Sequence, residues 1–203
     1  MHRRYAVAHA ALLLGAALAA ATHAQMIYGP ALAAALRDGG YVIVMRHASS
    51  PRQPPGREAA NPDNATLERQ LDEPGRASAA AMGEALRRLK IPIGEVLTSP
   101  TYRARETVRY AQLPNPRAVN ELGDGGQSMK TAAEEQGVWL QKKTAEFPRG
   151  SNTVLVTHMP NVASAFPELS DIADGEALIF GPDGKGGSRL FARIKIDEWS
   201  RIR

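Results

Sequence analysis

YVIVMRHASS, residues 41–50, runs from a continuous apolar stretch into an arginine and a histidine, with small hydroxyl residues directly after. An apolar run of this length, partly β-branched, predicts a strand over residues 41–45 that is covered on both faces. A strand of that kind belongs to a sheet with helices packed above and below. Arg46 and His47 then stand just past its carboxyl end, the place where open α/β sheets bind ligands.

The pattern recurs once. NTVLVT, residues 152–157, reads as a second buried strand, and His158 follows it directly. The rest of the chain alternates between the two periodicities. Helices are predicted over residues 30–38, stopped by Gly39-Gly40, and over 74–90, where Ala79, Met82, Leu86 and Leu89 share one stripe. Two more are predicted over 100–111, with Ser99 as its cap, and over 128–147, with Trp139 and Leu140 towards the core. Short strands are predicted over 93–97 and 117–119. The strands at 176–180 and 189–196 flank the glycine-rich turn PDGKGGS and read as a hairpin. Residues 49–64 and 120–127 read as loops. The expected architecture is a three-layer α/β sandwich: a mostly parallel central sheet flanked by helices, with an antiparallel C-terminal hairpin.

The 203 residues leave room for one such domain. The first 24 do not belong to it. MHRRYAVAHAALLLGAALAAATHA has a basic start, an apolar run and a small-residue end, the layout of a secretory signal peptide cleaved after Ala24. The apolar run is short and alanine-rich for a membrane span, with an uncleaved anchor as the competing reading. Residues 25–203 then form the domain, and the expected location is periplasmic or secreted, with no stable membrane insertion after cleavage. Without that segment the net charge of +4 falls to about +2, because Arg3 and Arg4 leave and no acid does. No dense basic stripe with interleaved aromatics remains, which argues against a nucleic-acid partner. The chain has no cysteine, which excludes disulfides, thiolate metal sites and a cysteine nucleophile. Of five histidines, His2, His9 and His23 lie in the leader, so the domain keeps only His47 and His158.

Both remaining histidines therefore sit at strand ends. No HxH or HExxH spacing suggests a metal site, and no GxSxG elbow suggests a serine hydrolase. Anion chemistry fits better. Arg46 offers a planar fork of donors suited to a phosphoryl group, and a neutral imidazole can act as a nucleophile. LTSPTYRARET, residues 97–107, again follows a strand and opens a helix, whose N-terminus attracts anions. Arg103 lies early enough in that helix to point back over the site. A surface pair with Glu106 or Thr107 is the plainer alternative, and Arg105 projects from another face.

Taken in order, MRHA, SPTYRARET and VTHMPN resemble the histidine phosphatase superfamily, which includes cofactor-dependent phosphoglycerate mutase and acid phosphatases. The first matches its RHG motif with Ala48 in place of glycine, and the second matches SPxxRAxxT. GEALIFGPDGKGG, residues 175–187, looks like the terminal strands of small exported members. The resemblance implies a phosphomonoesterase in which His47 attacks phosphorus and Arg46, Arg103 and His158 bind its equatorial oxygens, with no metal and no cofactor. It implies Glu121, in AVNELGDGG, as the acid that protonates the leaving group, with Asp124 the second choice. The branch that places an acid directly after the second histidine fits poorly, since Met159 stands there. Arg52, Arg57 and Arg69 belong to a loop, residues 49–71, expected at the mouth. Asn161 is expected to cap the short helix it opens. The expected partner is a small phosphorylated compound or an envelope glycan phosphate. A non-catalytic anion binder and a structural envelope protein remain as readings from other classes.

Overall fold

A computed structural model describes residues 26–124 and 130–203, so the leader lies outside the described residues. Among the described residues six strands, β1 (Val42–Arg46), β2 (Ile93–Thr98), β3 (Arg117–Ala118), β4 (Asn152–Thr157), β5 (Ala177–Pro182) and β6 (Ser188–Ile194), form one sheet in the order β3-β2-β4-β1-β5-β6. The first four are parallel, and β5 runs antiparallel to both β1 and β6. This is the mostly parallel sheet with a terminal hairpin that the sequence predicts.

Among the described residues five helices cover it: α1 (Gly29–Asp38), α2 (Glu73–Arg88), α3 (Tyr102–Tyr110), α4 (Lys130–Lys143) and α5 (Met159–Ala165). Strand alternation sorts the core into two layers. Ile43, Met45, Val154, Val156 and Ile179 face Leu32 and Leu36 of α1, Met82 and Leu86 of α2, and Val108 of α3. Val42, Val44, Leu155 and Phe180 face Leu140 of α4 and Val162 of α5. Each such side chain contributes about 1.5–3 kcal/mol on burial. Truncating the fully buried Leu155 to alanine is expected to cost roughly 2–5 kcal/mol, because the site cannot collapse around the gap.

Close approaches of backbone need glycine at two places. α1 ends at Gly39 with φ +76°, and a Cβ there would lie 2.4 Å from the amide of Ser151. At Gly137 a Cβ would lie 2.4 Å from Ser164 Oγ, so α4 and α5 cross closely there.

The structure shortens or shifts some predicted elements. α3 starts at Tyr102 rather than at residue 100, because the Ser99 hydroxyl is committed to partners outside the helix. α4 ends at Lys143, and its predicted start at residue 128 lies outside the described residues. Residues 120–122, expected as loop, form a 3-10 turn, and Thr157 Oγ1 donates to the Leu122 carbonyl beneath it. Among the described residues no helix is long and apolar enough to cross a membrane.

The segment between β1 and α2 has neither helix nor strand, a length that usually signals function. Polar side chains fix it to α3. Glu68 accepts the Tyr102 N–H at 2.9 Å, and Glu106 accepts the Leu71 N–H at 2.6 Å and Asn61 Nδ2 at 2.8 Å. Asp72 caps α2 by accepting the Gly75 N–H at 2.7 Å, and its other oxygen accepts Ser49 Oγ at 2.7 Å.

Candidate active site

Strand register builds the centre. In the parallel β1–β4 pair Arg46 stands opposite Thr157, so the next residues, His47 and His158, emerge side by side. The His47 N–H donates to the Thr157 carbonyl at 3.0 Å, and the two imidazole centroids are 5.2 Å apart. Both histidines are buried, at 3 % and 2 % exposure.

Arg103 joins them. From the first turn of α3 its Nε donates to His47 Nε2 at 3.1 Å. Its Nη2 donates to His158 Nδ1 at 3.0 Å and to Asp124 Oδ2 at 3.0 Å. A guanidinium only donates, so each of those ring nitrogens must hold a lone pair. The opposite nitrogens agree with that assignment: His47 Nδ1–H donates to the Ala48 carbonyl at 2.8 Å, and His158 Nε2–H to Ser99 Oγ at 2.8 Å. The two histidines are thus neutral and held in opposite tautomers. Burial is the main cause of their low basicity. It pushes His47 down to about 3, with Arg103 and Arg46 adding to it and the Ala48 carbonyl opposing. His158 is lowered by burial, then by Arg103 and His47.

The local sequence explains why Arg103 turns inward. Thr107, one helical turn later, accepts the Ala48 N–H at 3.0 Å and donates to the Arg103 carbonyl at 2.9 Å, locking α3 against the exit of β1. The plainer alternative, a surface pair of Arg103 with Glu106 or Thr107, does not form, because both partners are buried and spent elsewhere. Ser99 is not a helix cap either. It accepts from His158 and from the Thr101 N–H and donates to Thr101 Oγ1 at 3.1 Å, so its hydroxyl is saturated.

Arg46 lies beside this trio with its fork already held. Nη1 donates to the Ile172 carbonyl at 2.9 Å, and Nη2 pairs with Asp174 at 2.6 Å. Its Nε is buried with no hydrogen-bond partner among the described residues. Arg69 donates to the Pro51 and Ser50 carbonyls at 2.7 and 3.1 Å, which brings one charge of the loop inward. Burial, then Arg103 and Arg46, lower its pKa, against the pull of Asp174 and Asp124. Arg52 and Arg57 stay exposed.

The two carboxylates proposed for proton transfer part company here. Asp124 touches Arg103, with its side chain 43 % exposed. Glu121 lies exposed on the 3-10 turn. Its backbone carbonyl accepts Asn161 Nδ2 at 3.3 Å, while among the described residues no hydrogen bond or ion pair joins its carboxylate to Arg103 or the histidines. Asn161 is therefore a buried tie from α5 to the 3-10 turn rather than a helix cap; His158 holds the cap position and makes no side-chain cap bond. Among the described residues no group of three or more His, Asp or Glu side chains is arranged to hold a metal ion. The sequence reading missed the polar partners Ser99, Thr107 and Asp174. Ser99 and Thr107 lie inside a motif it had singled out, whereas nothing marks Asp174.

Comparison with known proteins follows the same lines. The family model of the histidine phosphatase superfamily (branch 1) matches residues 42–124, from β1 to Asp124. No curated protein sequence matches. Among solved structures the chain is similar to the protein histidine phosphatase SixA complexed with tungstate, at 19 % identity and TM-score 0.56, covering 78 % of this chain and 98 % of that one. It is also similar to a putative phosphohistidine phosphatase SixA from Agrobacterium tumefaciens, at 17 % identity and TM-score 0.52 over 77 % and 98 % of the two chains. A mycobacterial glucosyl-3-phosphoglycerate phosphatase in complex with VO3 aligns at 15 % identity and TM-score 0.52 over 75 % and 97 %. Arg46-His47 and SPTYRARET lie inside the segment that the family model matches, and these solved structures share the fold of the chain.

Proposed function

We propose that the chain is an exported, metal-independent phosphomonoesterase that works through a phosphohistidine on His47. The observation that carries this reading is the bridge of Arg103 between His47 Nε2 and His158 Nδ1. It leaves His47 with an unprotonated Nε2, fixed by the Nδ1–H bond to Ala48, at a cluster of three arginines.

An arriving phosphoryl group takes over the Arg103 donors and satisfies the buried Arg46 Nε. His47 Nε2 is then free to attack, forming the N–P bond as the ester O–P bond breaks. The anion's charge reverses the field at His158 and favours protonation of its Nδ1, which then donates to an equatorial oxygen. Charge that develops on those oxygens meets fixed donors in a dry site, where such interactions are strongest. The leaving alkoxide takes a proton from a carboxyl group. Asp124 is the carboxyl beside Arg103 and is the better placed; Glu121 is the second choice. Water then attacks phosphorus, the same carboxylate accepts its proton, and His47 regains its lone pair. The substrate class is a small phosphorylated compound or an envelope glycan phosphate. Export rests on the leader-like residues 1–24. The solved relatives named above as acting on phosphohistidine and glucosyl-3-phosphoglycerate agree with a phosphoryl substrate.

The test is hydrolysis of p-nitrophenyl phosphate by residues 25–203 in EDTA, beside His47→Ala. Turnover that survives EDTA and disappears in the variant is expected, with acid-labile phosphate trapped on the wild type. Equal turnover in both proteins would refute the histidine nucleophile. Phosphate binding with no ester cleaved would replace the enzyme by an anion-binding protein.

A further inference from the structure

The far edge of the sheet is wired to the site. Arg193 on β6 makes a side-on fork to Glu176, Nε to Oε1 at 2.7 Å and Nη2 to Oε2 at 3.1 Å, while its Nη1 reaches Asp171 at 2.9 Å. Glu176 Oε2 also accepts the Ala173 N–H at 2.9 Å. One arginine thereby holds both ends of the segment from Asp171 to Glu176. That segment makes three hydrogen bonds and one ion pair to the residues at the end of β1. The Ile172 carbonyl and the Asp174 carboxylate take the two Nη atoms of Arg46, the Glu176 carbonyl takes the Arg46 N–H at 3.1 Å, and the Gly175 N–H donates to the His47 carbonyl at 2.9 Å. Gly175 adopts φ +71°, which lets the turn present that N–H.

We propose that Arg193 is a positioning residue for Arg46 and His47, acting through the segment Asp171–Glu176. The inference rests on the phosphatase reading above and adds a residue that touches neither substrate nor histidine. The geometry favours a specific role over general support. Glu176 is 5 % exposed, Arg193 supplies the charge that its carboxylate pairs with beside the Ala173 N–H, and the bidentate fork fixes direction as well as distance. A lysine keeps the charge but cannot form the fork. Displacement of a binding group by about 1 Å can cost on the order of 100-fold in rate.

The experiment is a double-mutant cycle on Arg193→Gln and Arg46→Gln, read both as kcat and KM on p-nitrophenyl phosphate and as tungstate affinity by calorimetry. Arg193→Gln is expected to lower kcat at least tenfold and tungstate affinity severalfold in protein with unchanged circular dichroism. In the Arg46→Gln background the same change should have a clearly smaller effect, since the side-chain contacts to Ile172 and Asp174 are gone and only the backbone bonds to residues 46 and 47 remain. Arg193→Lys should fall between wild type and Arg193→Gln, and it takes the place of that variant in the cycle if the glutamine protein does not fold. Equal effects of the Arg193 change in both backgrounds would overturn the proposal and leave Arg193 a structural residue. If the wild type cleaves no ester, the phosphatase reading fails, and the tungstate arm alone decides the positioning role.

Discussion

The Thr107 hydroxyl accepts the backbone N–H of Ala48 at 3.0 Å across a gap of 59 residues. One hydrogen bond thus joins α3, which carries Arg103, to the turn that carries His47. Thr107→Val keeps the shape and removes the acceptor, leaving a buried amide unpaired at a cost of about 1–3 kcal/mol. Urea unfolding should show that loss, and kcat should fall with it. Thr107→Ser should restore most of both, and a valine variant as stable and active as wild type would remove Thr107 from the account.

Ser99 fixes the tautomer of His158, so Ser99→Ala should release it. The expected result is a kcat loss of about tenfold to a hundredfold, the range seen when a group orienting a functional histidine is deleted from a metal site. Nitrogen NMR of labelled imidazole provides the direct check. Wild type should show the Nε2–H form of His158, and Ser99→Ala a mixture. An unchanged spectrum would mean that Arg103 alone sets the proton.

Acid should weaken the fold before it protonates the nucleophile. His47 titrates near 6.5 in an unfolded chain and at about 3 in the folded one. Between those values the unfolded chain binds a proton that the folded chain refuses, so stability rises with pH there and is lost on acidification; above the upper value this contribution is flat. At about 1.4 kcal/mol per pH unit once the unfolded imidazole is fully charged, the shift from pH 6.5 to 4.5 should cost roughly 2 kcal/mol through His47. Urea midpoints at the two pH values measure it, and His47→Gln should reduce the slope to the share of His158, which burial also makes less basic. Midpoints that do not move would mean a charged imidazole in the folded protein.

Much of this site was readable because its strongest signals are local. An apolar strand followed at once by His47, another followed by His158, and Arg103 early in a helix each lie within a short stretch. The positions of Ser99 and Thr107 were equally visible, but their partners were not. A serine before a helix looks like a cap, and nothing local says that its hydroxyl faces a histidine 59 residues away. Asp174 is harder still, since its meaning depends on β5 pairing beside β1 and returning the preceding segment to Arg46. The choice of Glu121 over Asp124 turned on an alignment of a glycine-rich loop, where no periodicity fixes the register. The contact with Arg103 favours the later residue.

Leaving-group dependence separates those two carboxylates. An alkyl phosphate needs a proton on its departing oxygen, whereas p-nitrophenolate leaves without one. Asp124→Asn should therefore lose about 100-fold or more on glycerol phosphate and under tenfold on p-nitrophenyl phosphate. Glu121→Gln should change both by less than threefold. The reverse ranking would return the proton-donor role to Glu121.

Glu106 holds the long segment before α2 with two carboxylate oxygens that only accept. Glu106→Gln turns one acceptor into a donor facing a donor, either the Leu71 N–H or the Asn61 amide. Limited proteolysis should then cut between residues 50 and 70 faster than in wild type, with urea stability reduced by about 1–2 kcal/mol. Cleavage at the wild-type rate would show that Glu68 and Asp72 secure the segment unaided.

The pairing of Arg46 with Thr157 in the β1–β4 register bears on how this gene can change. Strand side chains alternate with a period of two, so losing one codon from β1 or β4 would slide a histidine by about 3.3 Å and turn it to the opposite face of the sheet. Heritable changes of length must fall elsewhere, at the tip of the β5–β6 hairpin or among the exposed residues of the segment before α2. Those are the places to graft a tag or diversify a library, and the two histidine-bearing strands are where any frame of one residue is lethal to the site.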